Sequence, residues 1–236
     1  MRLNEDPFFR PPPWFQPLDL NRMVRVYRRH LPHWRQEGGV YFVTFRLADA
    51  LPPDVIRELH CLREEIQRRR AAANDGTEEQ GRWQELTTRL LLRSEDALDQ
   101  CHGACPFRDP AIRADLCDAL RFHHPEQCRM LCFTVMPNHV HAVMQPLPDL
   151  ELERVLKSIK GHSSRLLNQR LRRTGTNWGE ESYDTLIRDA EHLLRVLRYV
   201  VANGAKAGLR EQDYEVWICP QWEAAGWTRE RIEESR

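Results

Sequence analysis

Met136-Pro137-Asn138-His139-Val140-His141-Ala142-Val143-Met144 sets two imidazoles two residues apart inside an apolar run. Extended chain throws successive side chains to opposite faces, so in a strand His139 and His141 project together while Val140 points the other way, into a core. Paired neutral imidazoles make a claw for a divalent cation, although a strand with one polar side shows the same alternation without any ligand. Arg129 to Val135 reads as the preceding strand, with its turn at Pro137-Asn138, and so short a connection predicts antiparallel pairing.

A second informative stretch lies near the C-terminus. From Glu191 to Gly204 the apolar residues Leu193, Leu197, Val200 and Val201 recur at helical spacing, and Gly204 reads as the stop signal. Within that helix Tyr199 and Asn203 are four apart, hence on one face, and a phenol and an amide oxygen are delivered together. Each also has a plain reading: Tyr199 as an amphipathic side chain at a core edge, Asn203 as an ordinary helix terminus. Among the other tyrosines, Tyr183 reads as packing or DNA contact. Tyr27, Tyr41 and Tyr214 fall on a basic arm, a strand and a tail, with no carboxamide partner at helical spacing.

Taken together, His-hydrophobic-His on a strand, then a helix with Tyr-x-x-x-Asn, then Lys206-Ala-Gly-Leu209, resembles the single-tyrosine HUH transposases, most closely the REP-associated tyrosine transposase branch. Tyr41 to Leu47 resembles that family's first strand, and Ser182 to Asp189 the segment leading into its tyrosine helix, so the likeness runs from about Arg28 to Leu209. It implies attack of Tyr199 on a phosphodiester of single-stranded DNA, leaving a 5′-phosphotyrosine and a free 3′-hydroxyl, with hairpin-forming repeat DNA as partner and a monomer or homodimer as the working form. It also implies Asn203 as a third metal ligand beside His139 and His141. A phenol of pKa about 10 is a poor nucleophile at neutral pH, and a metal polarising the phosphate answers that difficulty. Nitrogen and oxygen donors with open positions suit Mg²⁺ or Mn²⁺, and a set without thiolate argues against a closed structural zinc site. Two alternatives stand beside this enzyme: a domesticated nucleic-acid-binding protein of the same fold, and a metal-dependent phosphodiesterase that uses water.

Composition adds constraints. In 236 residues, 35 basic side chains balance 35 acidic ones, so no global field draws the chain to DNA, and any attraction must be local. Arg22, Arg25, Arg28, Arg29 and Arg35, interleaved with Tyr27 and Trp34, form a basic and aromatic patch of the kind that contacts phosphates and stacks bases. A second run, from Arg154 through Lys157, Lys160, His162 and Arg165 to Arg173, follows on an apparent helix; solvated helix faces explain both runs equally well. The seven cysteines, Cys101, Cys105, Cys117, Cys128 and Cys132 among them, form no paired Cys-x-x-Cys knuckles, and Cys132 reads as strand core. No apolar run approaches the length of a membrane span and Met1 to Asp6 lacks the form of a signal peptide, so a cytoplasmic protein is expected.

Along the chain, residues 1–27 read as an irregular extension containing three consecutive prolines, and residues 28–209 as the transposase-like unit. Within that unit, 51–129 holds a helical insertion with helices near 54–70, 78–99 and 110–122; further helices are expected over 150–172 and 189–203. Residues 210–236 form a tail whose Trp217, Trp222 and Trp227 cover apolar surface. The expected fold class is α+β, an antiparallel sheet flanked by helices in the ferredoxin-like manner.

Overall fold

The computed structural model describes residues 25–28, 32–72 and 78–234, with positions 15, 18 and 19 besides. The proline-rich lead, Arg22 and Arg29 lie outside the described residues, and of Arg25, Tyr27 and Arg28 only the backbone is described.

Strands β1 (Arg25–Arg28) and β2 (Pro32–Arg35) pair as a small antiparallel hairpin. The main sheet uses β3 (Tyr41–Leu47), β4 (Cys128–Val135), β5 (His139–Pro146), β6 (Trp178–Leu186) and β7 (Glu215–Ile218) in the order β6-β3-β5-β4-β7. Every pairing in it is antiparallel. Leaving out β7, the order is fourth, first, third, second, which is the ferredoxin-like arrangement anticipated from the sequence.

Helices α1 (Pro53–Ala72), α2 (Glu78–Asp99) and α3 (Pro110–Arg121) connect β3 to β4, α4 (Leu152–Arg170) connects β5 to β6, and α5 (Ala190–Lys206) follows β6. Two short helices, α6 (Pro220–Ala224) and α7 (Arg229–Glu234), close the tail. Of the helices expected within 51–129, α3 packs against β4 and α4, while α1 and α2 pack against each other. Local chemistry sets the helix starts: Asp109 accepts a hydrogen bond from the Ala111 N–H ahead of α3, and Asp189 accepts from the His192 N–H ahead of α5.

Alternation along the strands divides the interior in two. Val140, Ala142 and Met144 of β5, with Val43, Phe45 and Phe133, meet α1, α3 and α4 on one face. Val143 with Phe42, Leu131 and Cys132 meets α5, α6 and α7 on the other. Full burial of each Phe contributes about 2–3 kcal/mol, so both faces are held by the same apolar force. Trp222 and Trp227 are almost wholly buried in the second cluster, as the tail's reading required. No helix among the described residues is long and apolar enough to cross a membrane.

One expectation is corrected. The helix does not stop at Gly204: α5 runs to Lys206, and Gly208, at φ 68°, ends it, with Gly208 N–H bonded to the Ala205 carbonyl and Leu209 N–H to that of Gly204. Gly204 is required for a different reason, because a Cβ there would lie 2.5 Å from ring carbons of Tyr214. The segment from Ser182 to Asp189 does lead into α5: its first part is the second half of edge strand β6, and Asp189 caps the helix.

Candidate active site

The β4–β5 hairpin turns at Pro137-Asn138, where the Met136 N–H meets the His139 carbonyl. From there β5 carries His139 and His141 onto the α5 face, both with no solvent exposure. Their Nε2 atoms lie 3.0 Å apart. Each outer nitrogen is engaged as well: His139 Nδ1 is 2.7 Å from Asn138 Oδ1, and His141 Nδ1 is 2.8 Å from Thr44 Oγ1. Asn138 Nδ2 donates to the His102 carbonyl, which orients the amide oxygen toward His139 and makes His139 Nδ1 the protonated nitrogen. His139 Nε2 therefore holds a lone pair. One consistent assignment follows, in which the Thr44 hydroxyl donates to His141 Nδ1 and the His141 Nε2–H donates to His139 Nε2.

Burial holds both rings neutral. The His139 imidazolium is pushed down to about 3 by loss of solvent. For His141 the same desolvation acts first, and nearby His139 and Lys206 push further in the same direction.

Tyr199 stands over this pair. Its ring centroid is 5.1 Å from that of His141 and 5.7 Å from that of Phe42, edge-on to both, and Phe42 itself stacks on His141. The phenol donates its hydrogen bond to Glu95 Oε2, on α2, and that carboxylate oxygen is 3.7 Å from His141 Nε2. Burial pushes the Glu95 carboxyl up to about 8, with Asp99 adding to the rise and Lys206 opposing it. One turn further along α2, Asp99 accepts from Lys206 Nζ at 3.1 Å, and Lys206 lies over the Tyr199 ring at 5.5 Å. One turn beyond Tyr199, Asn203 is fully buried, and neither its Oδ1 nor its Nδ2 has a hydrogen-bond partner among the described residues.

An orphaned buried amide costs about 1–3 kcal/mol per unmet atom and calls for a ligand, water or ion. Among the described residues no three His, Cys, Asp or Glu side chains are arranged to hold a metal by themselves, so an ion at the imidazoles needs an oxygen of another kind. After a change of tautomer at His141 alone, both Nε2 atoms, 3.0 Å apart, would offer lone pairs to a divalent cation, with the unsatisfied Asn203 amide, one turn beyond Tyr199, as an oxygen donor.

The structure thus brings His139, His141, Tyr199 and Asn203 into one region. The basic residues read as DNA contacts whose side chains are described do not lie there. Lys157 and Arg165 are exposed on α4, across the sheet from the histidines. Lys160 is half-buried, donating to the Gly179 carbonyl and lying over the Phe45 ring. Arg35, read as part of a phosphate-binding patch, is committed to ion pairs with Asp184 and Glu153. Of the competing tyrosines, Tyr41 bonds the Gln36 backbone, Tyr183 bonds Thr185, and Tyr214 accepts from Arg229. Glu95, Asn138 and Thr44 went unread in the sequence. Thr44 had a signal, because it directly opposes His141 in the β3–β5 register.

The fold and site together are a ferredoxin-like sheet carrying two buried imidazoles, faced by a helix-borne phenol. Residues 118–203, which hold both histidines, Tyr199 and Asn203, match the family described as "Transposase IS200 like". The match spans about a third of the chain and shows that this part is similar to the IS200-like transposases. A solved structure described as "Structure of the REP associates tyrosine transposase bound to a REP hairpin" is similar at 15% identity and a TM-score of 0.42, covering 78% of this chain and 75% of that one. No curated protein matches the chain.

Proposed function

We propose that the chain is a metal-dependent DNA strand transferase in which Tyr199 attacks a phosphodiester of single-stranded, hairpin-bearing DNA. The observation that carries this reading is the approach of Tyr199 to His141, with the unpartnered amide of Asn203 one turn along the same helix. His139, His141 and Asn203 would hold Mg²⁺ or Mn²⁺, which when bound polarises a non-bridging phosphate oxygen and stabilises charge on the leaving oxygen.

The chain's own residues then do the remaining work. Asn138 and Thr44 fix the imidazole rings, Phe42 stacks on His141 and meets Tyr199 edge-on, and α5 presents the hydroxyl. Attack forms the Tyr199 Oη–P bond and breaks the P–O3′ bond. The phenolic proton leaves Tyr199, and the departing 3′-oxygen gains a proton, so a 3′-hydroxyl can later reverse the step on another strand. One ester replaces another, and no nucleotide cofactor is needed.

The test is covalent trapping on a panel of hairpin oligonucleotides with Mn²⁺. The expected result is a protein–DNA adduct absent with chelator and in Tyr199→Phe, and slowed about 10³-fold, roughly 4 kcal/mol, in His141→Ala. A gel shift without adduct would identify a binding protein instead. Cleavage that survives Tyr199→Phe would identify a hydrolase using water.

A further inference from the structure

We infer that Glu95, brought in by the α1–α2 pair, is a positioning residue of this site, holding the Tyr199 hydroxyl on the histidine side of α5. Its functional meaning rests on the reading of Tyr199 as nucleophile; the contact itself does not. A helix-borne phenol pivots about two side-chain torsions, and an error of about 1 Å in a nucleophile's place can slow attack by about 10²-fold. Phe42 and His141 confine the ring but leave its oxygen unheld. Glu95 supplies the missing constraint, because an oxygen of its carboxyl group accepts the hydroxyl's hydrogen bond whether that group is ionised or protonated.

The contact is not a stray surface encounter. The Glu95 side chain is only 18% exposed. Asp99, four residues on and therefore on the same face of α2, pairs with Lys206 of α5, so α2 meets α5 at two levels bracketing Asn203. The neighbouring face of α2 is anchored by Leu90, Ala97 and Leu98 in the cluster beneath the sheet. One helix is thus fixed to the core and applied to the nucleophile, which gives the α1–α2 pair a role in the site.

The same carboxylate oxygen lies 3.7 Å from His141 Nε2, so two other roles are open to it: ligand to an ion, or occupant of the place a phosphate oxygen must take. Comparison of wild type, Glu95→Gln and Glu95→Ala separates the three, with thermal unfolding confirming that each variant is folded. First, the ¹³Cζ resonance of Tyr199, assigned by its loss in Tyr199→Phe, is measured without DNA or metal. The expected result is a hydrogen-bonded phenol in wild type and Glu95→Gln, and a shift to the free-phenol position in Glu95→Ala.

Second, single-turnover adduct formation is measured with Mn²⁺ and saturating hairpin DNA. Glu95→Ala should slow it by about 10- to 100-fold, while Glu95→Gln, which keeps an acceptor, stays within about threefold. Half-saturating DNA and calorimetric Mn²⁺ affinity should remain within about twofold in both, because positioning acts on the reacting atom alone. A faster Glu95→Ala overturns the inference by showing a carboxylate in the substrate's way. Loss of Mn²⁺ affinity overturns it in favour of a ligand, and a Glu95→Gln as slow as Glu95→Ala in favour of a charge effect. If the wild type forms no adduct with any hairpin, the proposed function fails, while an unmoved Tyr199 resonance in Glu95→Ala is what would sink the contact.

Discussion

Asn138 is the residue that orients His139, and its place in a tight turn hides that role in the sequence. Its side chain is fully buried, and its amide spans the His102 carbonyl and His139 Nδ1. Removing such an orienting partner usually lowers metal affinity by about 10- to 100-fold. We therefore expect Asn138→Ala to weaken Mn²⁺ binding, read by calorimetry, by at least about tenfold. It should also cost about 1–3 kcal/mol in urea unfolding, since two buried groups lose their partner. An unchanged affinity would mean that the ring is held by its strand alone. The contrast with Glu95 shows what was legible at this scale. His139, His141, Tyr199 and Asn203 could be read because regular elements turn sequence spacing into a shared face. Glu95 could not, because its relation to Tyr199, 104 positions away, exists only once α2 has packed on the core.

Elements were readable where their apolar periodicity is strong, as in β3, β4, β5 and α5. Strand β6 was hidden by its polar content: as an edge strand paired only with β3, it tolerates Glu180, Glu181, Ser182 and Asp184. Asp184 is nevertheless nearly buried, with a side chain 2% exposed, and Arg35 of β2 neutralises it through two hydrogen bonds while also binding Glu153 of α4. Arg35 is thus the cross-link among the small hairpin, the sheet edge and α4. Arg35→Ala would leave the Asp184 carboxylate without this partner, and breaking such a pair costs about 3–5 kcal/mol, somewhat less here because Glu153 is partly hydrated. Chemical unfolding should show a loss near about 3 kcal/mol, and joint replacement of Arg35 and Asp184 by apolar residues a smaller one.

Helix α5 offers a second test, because two forces oppose each other at Gly204. Alanine gains about 1 kcal/mol in helix propensity, yet its Cβ would sit 2.5 Å from the buried Tyr214 ring, and overpacking of that kind costs about 1–3 kcal/mol. Gly204→Ala should therefore destabilise the protein by up to about 2 kcal/mol in urea unfolding. In a Tyr214→Ala background, where the ring is gone, the same change should become neutral or stabilising. A loss of equal size in both backgrounds would assign the glycine to backbone conformation and not to close approach.

At the scale of the whole molecule, the two chemistries anticipated from the sequence occupy opposite layers. The imidazoles and Tyr199 lie on the α5 face, whereas Lys157 and Arg165 are exposed on α4, beneath the other face. The chain carries no net charge, so binding of a polyanion has to come from local patches. If Tyr199 cuts DNA as proposed, a strand held at α4 would have to pass around an edge of the sheet to reach it, with capture on one side and chemistry on the other. Each lost phosphate contact lowers the slope of log K against log salt by about 0.7 for single strands, so Lys157→Ala with Arg165→Ala should reduce it by about 1.4 if both touch DNA. At saturating DNA the adduct rate should be unchanged, since neither residue approaches the reacting atoms. A salt slope equal to that of the wild type would place both cations on a merely solvated face, and a slower adduct at saturation would show that the DNA-bound form brings α4 and α5 to bear on one phosphate.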